Sequence, residues 1–459
     1  MSNEATQDKG NILWRLSKKF QFAAESIIPD SFVFCIILAF IVFVLGIIAC
    51  GSPIAMVESW YNGFWTQSTF AFQMTIMVVV CAAFAQAPAI RGGLDKLASI
   101  GKTPRGAMVV LMIVGFIASF INWAFCTIIC PILAMRMAKK VKGLHFPMML
   151  AAGYSTMILG QCMGPSASVY ALLAGEGHFL EDTIGVLPQS VTTYNPMNVC
   201  LWIIIAVVTV ILAVLTTPPA HEVVEFHGTI EDEDIVEEKS ETKTPADAMN
   251  SSKILMYATG ILGLVYIIYS FVTKGVMNSL GLNFIIFLFI TLNCFVYNSP
   301  RKFITAIKSS MYLATDVMIQ FPFYGAIMQM MQDSGLAQIV IDALASVANA
   351  RTVPMITYIS ACIVNLFIPS QGGQWVVQGP IMVPLAQKFN VYIPNIVNAF
   401  CYGDEATNLL QPLYLIPALA VVNVPLKKVW GYCAYIFVVW FIITCLGLYF
   451  LPPIFTMYA

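Results

Sequence analysis

Asp404 and Glu405 stand side by side in a stretch otherwise apolar enough to lie in a bilayer. Carboxylates at that depth are costly unless they face a cavity, pair with another group, or take up a cation or a proton. With Thr407, Asn408 and Gln411 they supply the hard oxygen ligands that a Na⁺ site uses, and a buried acid that exchanges a proton is the equal alternative. Upstream, Asn365 is followed by Pro369-Ser370-Gln371-Gly372-Gly373-Gln374-Trp375. An earlier stretch has the same character, with Asn122-Trp123 and, one span later, Gly164-Pro165-Ser166-Ala167-Ser168. Helix breakers and uncharged hydrogen-bonding residues therefore coincide twice inside apolar sequence. Backbone that leaves the helix at membrane depth survives only where it faces protein or a polar cavity, and paired interruptions in two halves point to a midplane binding site. None of these segments holds a basic residue. An anionic substrate would be held by helix ends, hydroxyls and amides. The candidate substrate-binding set is Asn122, Trp123, Gly164, Pro165, Ser166, Ser168, Asn365, Ser370, Gln371, Gly372, Gly373 and Gln374, and the candidate coupling set is Asp404, Glu405, Thr407, Asn408 and Gln411.

Other chemistries find little support. Most of the 12 cysteines sit in apolar runs, where a free thiol acts as a small hydrophobe, and Cys126 and Cys130 lack the company of a metal site. The four histidines, His145, His178, His221 and His227, fall at span ends or in loops, away from the acids, which argues against a membrane enzyme. A net charge of −1 carries no nucleic-acid footprint, and no nucleotide motif suggests ATP drive. No cofactor is expected beyond a bound Na⁺.

The elements that must position these residues are helices. With 59% hydrophobic and 10% charged residues, the chain has the composition of a polytopic membrane protein; its mean hydropathy is +0.81. Continuous spans are expected at 30–50, 69–90, 198–216, 254–273, 281–297, 311–332 and 429–451, and broken ones at 147–173 and 394–420. The runs 107–138 and 353–388 are too long for one ordinary span and read as re-entrant hairpins. About nine spans, two of them broken, and two hairpins put the N-terminus in the cytoplasm and the C-terminus outside. All of the 23 Lys and Arg except Lys274, Arg351 and Lys388 then fall inside, a strong positive-inside bias.

The expected fold is thus an all-α polytopic membrane protein of two inverted repeats. Residues 1–29 form a cytoplasmic leader, 30–216 the first repeat, 217–253 an acidic cytoplasmic linker, 254–280 a linking span, and 281–459 the second repeat. Segments 91–102 and 333–350 read as amphipathic arms on the membrane surface. Asp316 reads equally as a gate or as a solvated span end, and Trp123 and Trp375 as walls of the pocket.

The chain resembles the short-chain fatty acid transporter family over nearly its whole length. The resemblance rests on Gly63-Phe64-Trp65, Ile121-Asn122-Trp123, Gln320-Phe321-Pro322-Phe323-Tyr324-Gly325, Pro369-Ser370 with Gly372-Gly373 and Trp375, Gln378-Gly379-Pro380, Tyr402-Gly403, and Asn408 with Gln411-Pro412. The hairpin pattern is also similar to the wider ion transporter superfamily, which implies a homodimer working by an elevator motion. The sequence departs from the family's usual pattern at Gln371, at Gln374, at Asp404-Glu405 and around Gly164-Pro165-Ser166, all at the proposed site. The leading expectation is a secondary carrier for a small monocarboxylate in the inner membrane, coupled to H⁺ or Na⁺, with lipid and the carboxylate as partners. The alternative is a cation/proton exchanger with no organic substrate.

Overall fold

A computed structural model describes residues 31–455, apart from 217–222, 227, 229–243, 367, 369, 411–413, 416–418, 420–421, 423 and 425. The leader, the acidic run at 231–234, His221, His227, Gln411 and Pro412 lie outside the described residues, as does the side chain of Asp316.

All regular structure among the described residues is helical. Each expected continuous span contains one helix: α1 Ser31–Cys50, α3 Ser68–Gln86, α9 Pro196–Leu215, α10 Lys253–Lys274, α11 Leu282–Val296, α13 Thr315–Asp333 and α18 Trp430–Phe450. Two further helices, α2 Pro53–Thr66 and α12 Pro300–Ser310, occupy stretches that hydropathy passes over. Glu58, Ser59 and Asn62 in one and Arg301, Lys302 and Lys308 in the other make both too polar to stand out. Their start signal is nonetheless local and shared. Ser52-Pro53 and Ser299-Pro300 each place a serine whose side chain accepts an N–H of the first turn before a proline that needs no donor. The segments expected as amphipathic arms form helices α4 Pro88–Leu97 and α14 Leu336–Val347, with Leu94 and Ile341 as their buried contacts.

The expected hairpins are pairs of helices. In the first, α5 Pro104–Ile121 and α6 Trp123–Lys140 meet at Asn122, a single extended residue (φ −164°, ψ 134°) whose side chain accepts the Phe125 N–H at 3.1 Å. In the second, α15 Val353–Asn365 and α16 Gln371–Lys388 flank a short break that ends on Ser370, which caps Gly373 in the same way. The broken spans begin as α7 Phe146–Gly160 and α17 Ile393–Asn408; the first resumes as α8 Ser168–Leu173.

Packing between the two halves is reciprocal. α1 and α2 lie on α13, while α11 and α12 lie on α3, and α3 and α13 touch each other. Within each half the first hairpin arm packs on the broken helix (α5 on α7, α15 on α17) and the surface arm packs on the second (α4 on α6, α14 on α16). The closest approach uses Gly63 and Gly325. A Cβ on Gly63 would lie 2.7 Å from the Gly325 carbonyl oxygen and 2.6 Å from Ala326 Cα, so only glycine lets α2 and α13 meet backbone to backbone.

Part of the linker is folded. Phe146 N–H donates to the Val224 carbonyl at 2.9 Å, Val224 N–H donates to His145 Nδ1 at 3.1 Å, and the Phe146 and Phe226 rings lie 4.7 Å apart. Further on, the short helix Pro245–Asn250 starts from a Thr244 capping box, and its Asp247 pairs with Arg301 at 2.8 Å. Because His145 Nδ1 accepts a backbone N–H, its Nε2, 2.7 Å from the Tyr432 hydroxyl, carries the only proton of a neutral ring. Burial pushes this imidazole down to about 4.

Two outcomes are expected. Gly63→Leu or Gly325→Val should overpack the α2/α13 crossing by about 1–3 kcal/mol, read as a lower melting temperature in detergent; an unchanged value would mean that the helices are not in backbone contact. For His145, the unfolded ring binds a proton below about 6.5 and the folded one only near 4, so stability is complete above that window and falls as pH drops through it. The loss should be roughly 3 kcal/mol, and His145→Gln should flatten the pH dependence of melting between those limits.

Candidate functional site: an acidic doublet between broken helices

Broken helices leave carbonyls without intrahelical partners, and side chains from neighbouring helices take them. At the end of α7, Trp202 Nε1 donates to Leu159 O at 2.9 Å, while Asn198 Nδ2 and the Tyr170 hydroxyl donate to Cys162 O at 2.9 and 3.2 Å. At the end of α17, the Tyr154 hydroxyl donates to Asn408 O at 2.8 Å and Trp430 Nε1 to Leu410 O at 2.6 Å. Each break is thereby held by the protein's own donors.

Asp404 and Glu405 sit on the last turns of α17, wholly buried. Glu405 Oε1 accepts from Gln371 Nε2 at 3.1 Å; Glu405 Oε2 accepts from Asn408 Nδ2 at 3.1 Å and Gln161 Nε2 at 3.3 Å. Gln371 also donates to Gln161 O at 3.3 Å and takes the Val169 N–H on its Oε1 at 3.1 Å. One glutamine therefore ties the tip of the second hairpin to the acid, to the first break and to the start of α8. Gly372 permits the fit, since a Cβ there would lie 2.6 Å from Phe70 Cζ and 3.3 Å from Ser168 Cβ. On the other side of the doublet, Asn365 Nδ2 reaches Asp404 O, Thr407 Oγ1 and Asn408 Oδ1, the last two at 2.9 Å. Asn408 Nδ2 makes a 3.4 Å contact with Asp404 Oδ2. The two carboxyl groups lie within hydrogen-bond reach of each other, and the other side-chain donors to the doublet are amides, none of them basic, among the described residues.

Of the residues singled out from sequence, Ser168, Asn365, Gln371, Gly372, Asp404, Glu405, Thr407 and Asn408 come together around this doublet. Others are placed elsewhere. Asn122 caps α6, and Trp123 lies against Tyr414, with ring centroids 5.6 Å apart. Gly164 lies against the Ser119 and Phe120 carbonyls at the first hairpin tip, Pro165 O accepts Gln189 Nε2 at 2.7 Å, and the Ser166 hydroxyl is buried without a protein partner. Ser370 and Gly373 serve the cap of α16. Gln374 turns into its own hairpin, donating to Ala361 O and Gln378 Oε1, both at 2.9 Å, so it joins the two arms and does not reach the acids. Trp375 is fully buried against Phe400, 4.8 Å between centroids. The candidate sets drawn from sequence did not include Gln161, Tyr154, Tyr170 or Asn198. A polar residue beside a helix break was the available signal for Gln161; nothing local distinguished the other three, which act across the fold.

The profile of the Short chain fatty acid transporter family matches residues 12–451. The chain belongs to that family. It is 28% identical over 425 residues to an Escherichia coli (strain K12) protein with the provisional name short-chain fatty acid transporter, covering 92% of this chain and 96% of that one. A Haemophilus influenzae protein with the same provisional name is 28% identical over 446 residues, 95% and 99% of the two chains. Among solved structures, the Alcanivorax borkumensis YdaH transporter matches with a TM-score of 0.60 at 13% identity, over 93% of this chain and 98% of its own. Neisseria gonorrhoeae MtrF, described within a class of antimetabolite efflux pumps, matches at 0.53 and 16% identity, over 93% and 97%. At those identities the two structures speak for the fold alone, and the all-helical transporter architecture of this family member agrees with them. It is a multi-pass membrane protein, and α3, α5, α9, α18 and the stretch Pro245–Lys274 are each long and apolar enough to cross a bilayer.

Gln374→Ala should remove the tie between hairpin arms, costing about 0.5–1.5 kcal/mol. The expected result is a lower melting temperature with a smaller change in transport KM than Gln371→Ala produces; the reverse ranking would place Gln374 at the substrate.

Proposed function

We propose that this protein is a secondary carrier that moves a short-chain fatty acid or related small monocarboxylate across the bacterial inner membrane, driven by H⁺ or Na⁺. The observation that carries the reading is the buried Asp404-Glu405 doublet, whose carboxyl groups meet each other and amides but no basic residue among the described residues, and which Gln371 joins to the second hairpin and to the break of the first broken helix. Two carboxylates in low dielectric with no basic partner need a cation or a proton to be neutralised. Linking that site to two irregular segments gives ion occupancy a means of setting the position of the hairpin. The family's substrate class supplies the carboxylate, whose charge is met by helix ends and hydroxyls at the breaks, where Ser166 and Ser168 lie buried. The reciprocal packing of α1–α3 on α11–α13 supports two repeats of opposite orientation, with the N-terminus in the cytoplasm.

Counterflow in proteoliposomes tests this. Vesicles loaded with unlabelled acetate, butyrate or acetoacetate should take up labelled carboxylate, and an imposed inward H⁺ or Na⁺ gradient should drive net accumulation. The double variant Asp404→Asn/Glu405→Gln should lose the gradient response. Cation/proton exchange with no carboxylate counterflow would sink the proposal and leave an exchanger.

A further inference from the structure

The two acids of the doublet are not equivalent in their hydrogen bonding. Glu405 has both oxygens committed to accepting, from Gln371, Asn408 and Gln161. The orientation of two of those amides follows from backbone groups whose roles are unambiguous. Val169 N–H donates to Gln371 Oε1, so the Gln371 amino group must face Glu405. Asp404 O can only accept, so the Asn365 amino group faces it; the same amino group meets Asn408 Oδ1, and the Asn408 amino group is left to face the carboxylates. The Gln371 and Asn408 N–H groups therefore stabilise the carboxylate form of Glu405 and cannot turn away without losing a partner. Asp404 is the opposite case. Its Oδ2 receives one long amide contact at 3.4 Å, its Oδ1 is buried without an amide or hydroxyl donor, and its carboxyl group lies within hydrogen-bond reach of that of Glu405. Asn365 Oδ1, on the residue whose amino group touches the Asp404 backbone, is a second buried oxygen without a donor. Unmatched buried acceptors are costly unless something electropositive meets them.

We propose that Asp404 is the acid that exchanges the coupling H⁺ or Na⁺, and that Glu405 is a positioning residue that anchors the second hairpin through Gln371. This division of labour rests on the coupled-carrier reading above. Exchange at Asp404 can proceed without disturbing the anchor, which keeps the hairpin tip in register with Ser168 and Val169 while the charge of the site changes.

Single variants separate the two roles in proteoliposomes. Asp404→Asn should keep counterflow but let the accumulation ratio fall to equilibrium under both H⁺ and Na⁺ gradients. Glu405→Gln and Gln371→Ala should still accumulate carboxylate in proportion to the gradient, with KM raised roughly tenfold. Gradient-driven accumulation retained in Asp404→Asn, or lost in Glu405→Gln while counterflow persists, overturns the assignment. A wild type or a double variant whose behaviour contradicts coupling altogether would instead remove the reading beneath it. For a readout free of folding effects, the wild-type protein is treated with a hydrophobic carbodiimide and mapped by mass spectrometry. Asp404 should be modified and Glu405 spared, with protection by high pH or by Na⁺; modification of Glu405, or of neither acid at any pH, overturns the proposal.

Discussion

Unwound backbone in a membrane protein must find its hydrogen-bond partners inside the protein, and the centre of this fold is arranged around that requirement. Hydrocarbon offers nothing to a free carbonyl. Trp202, Asn198 and Tyr170 close the end of α7, and Tyr154 and Trp430 close the end of α17. The closing span of each half is part of its break, because Asn198 and Trp202 lie on α9 and Trp430 on α18, the spans that follow the broken helices. The long reciprocal frame of α1–α3 against α11–α13 meets the two hairpins through α3 on α6 and α13 on α16.

On this satisfied backbone the acidic doublet is buried without a counter-charge from Lys, Arg or His among the described residues. Amides hold it instead, and their directionality matters more than their number. An amide offers a donor at one end and an acceptor at the other, so once a backbone group fixes one end the other is determined. Val169 and the Asp404 carbonyl fix Gln371 and Asn365 in this way, and through them the environment of each acid. Arginine or lysine would neutralise the doublet permanently and leave no place for an exchangeable charge. The folded linker at His145 adds a smaller element of the same kind, a neutral imidazole pinned between a backbone N–H and a tyrosine hydroxyl.

Much of this was legible from residue order. Apolar runs of about 20 residues marked the long helices. Asn122 and the Pro369–Gln374 run marked the two hairpin turns, because helix breakers at membrane depth are tolerated only where the freed backbone meets protein or a polar cavity. The doublet at 404 and 405 announced itself by its cost. Helices α2 and α12 were missed because hydropathy averages over their polar residues, although both Ser-Pro caps were in plain view. Gln374 was grouped with Gln371 because they lie three apart on one short segment, yet one reaches Glu405 and the other Ala361. Spacing along a helix gives the relative direction of two side chains, not what stands opposite them.

By itself, then, the sequence determined an all-helical membrane chain, the positions at which helices must break, and the presence of two acids too costly to be incidental. These are local properties of composition and backbone propensity. Only the tertiary structure decided which donors meet which oxygens: that Gln161 and Gln371, 210 residues apart, share Glu405, and that Asp404 Oδ1 is buried without an amide donor. Hydrogen bonds are directional and short, so assigning them requires the approach of distant helices to a few tenths of an ångström, which no local pattern encodes.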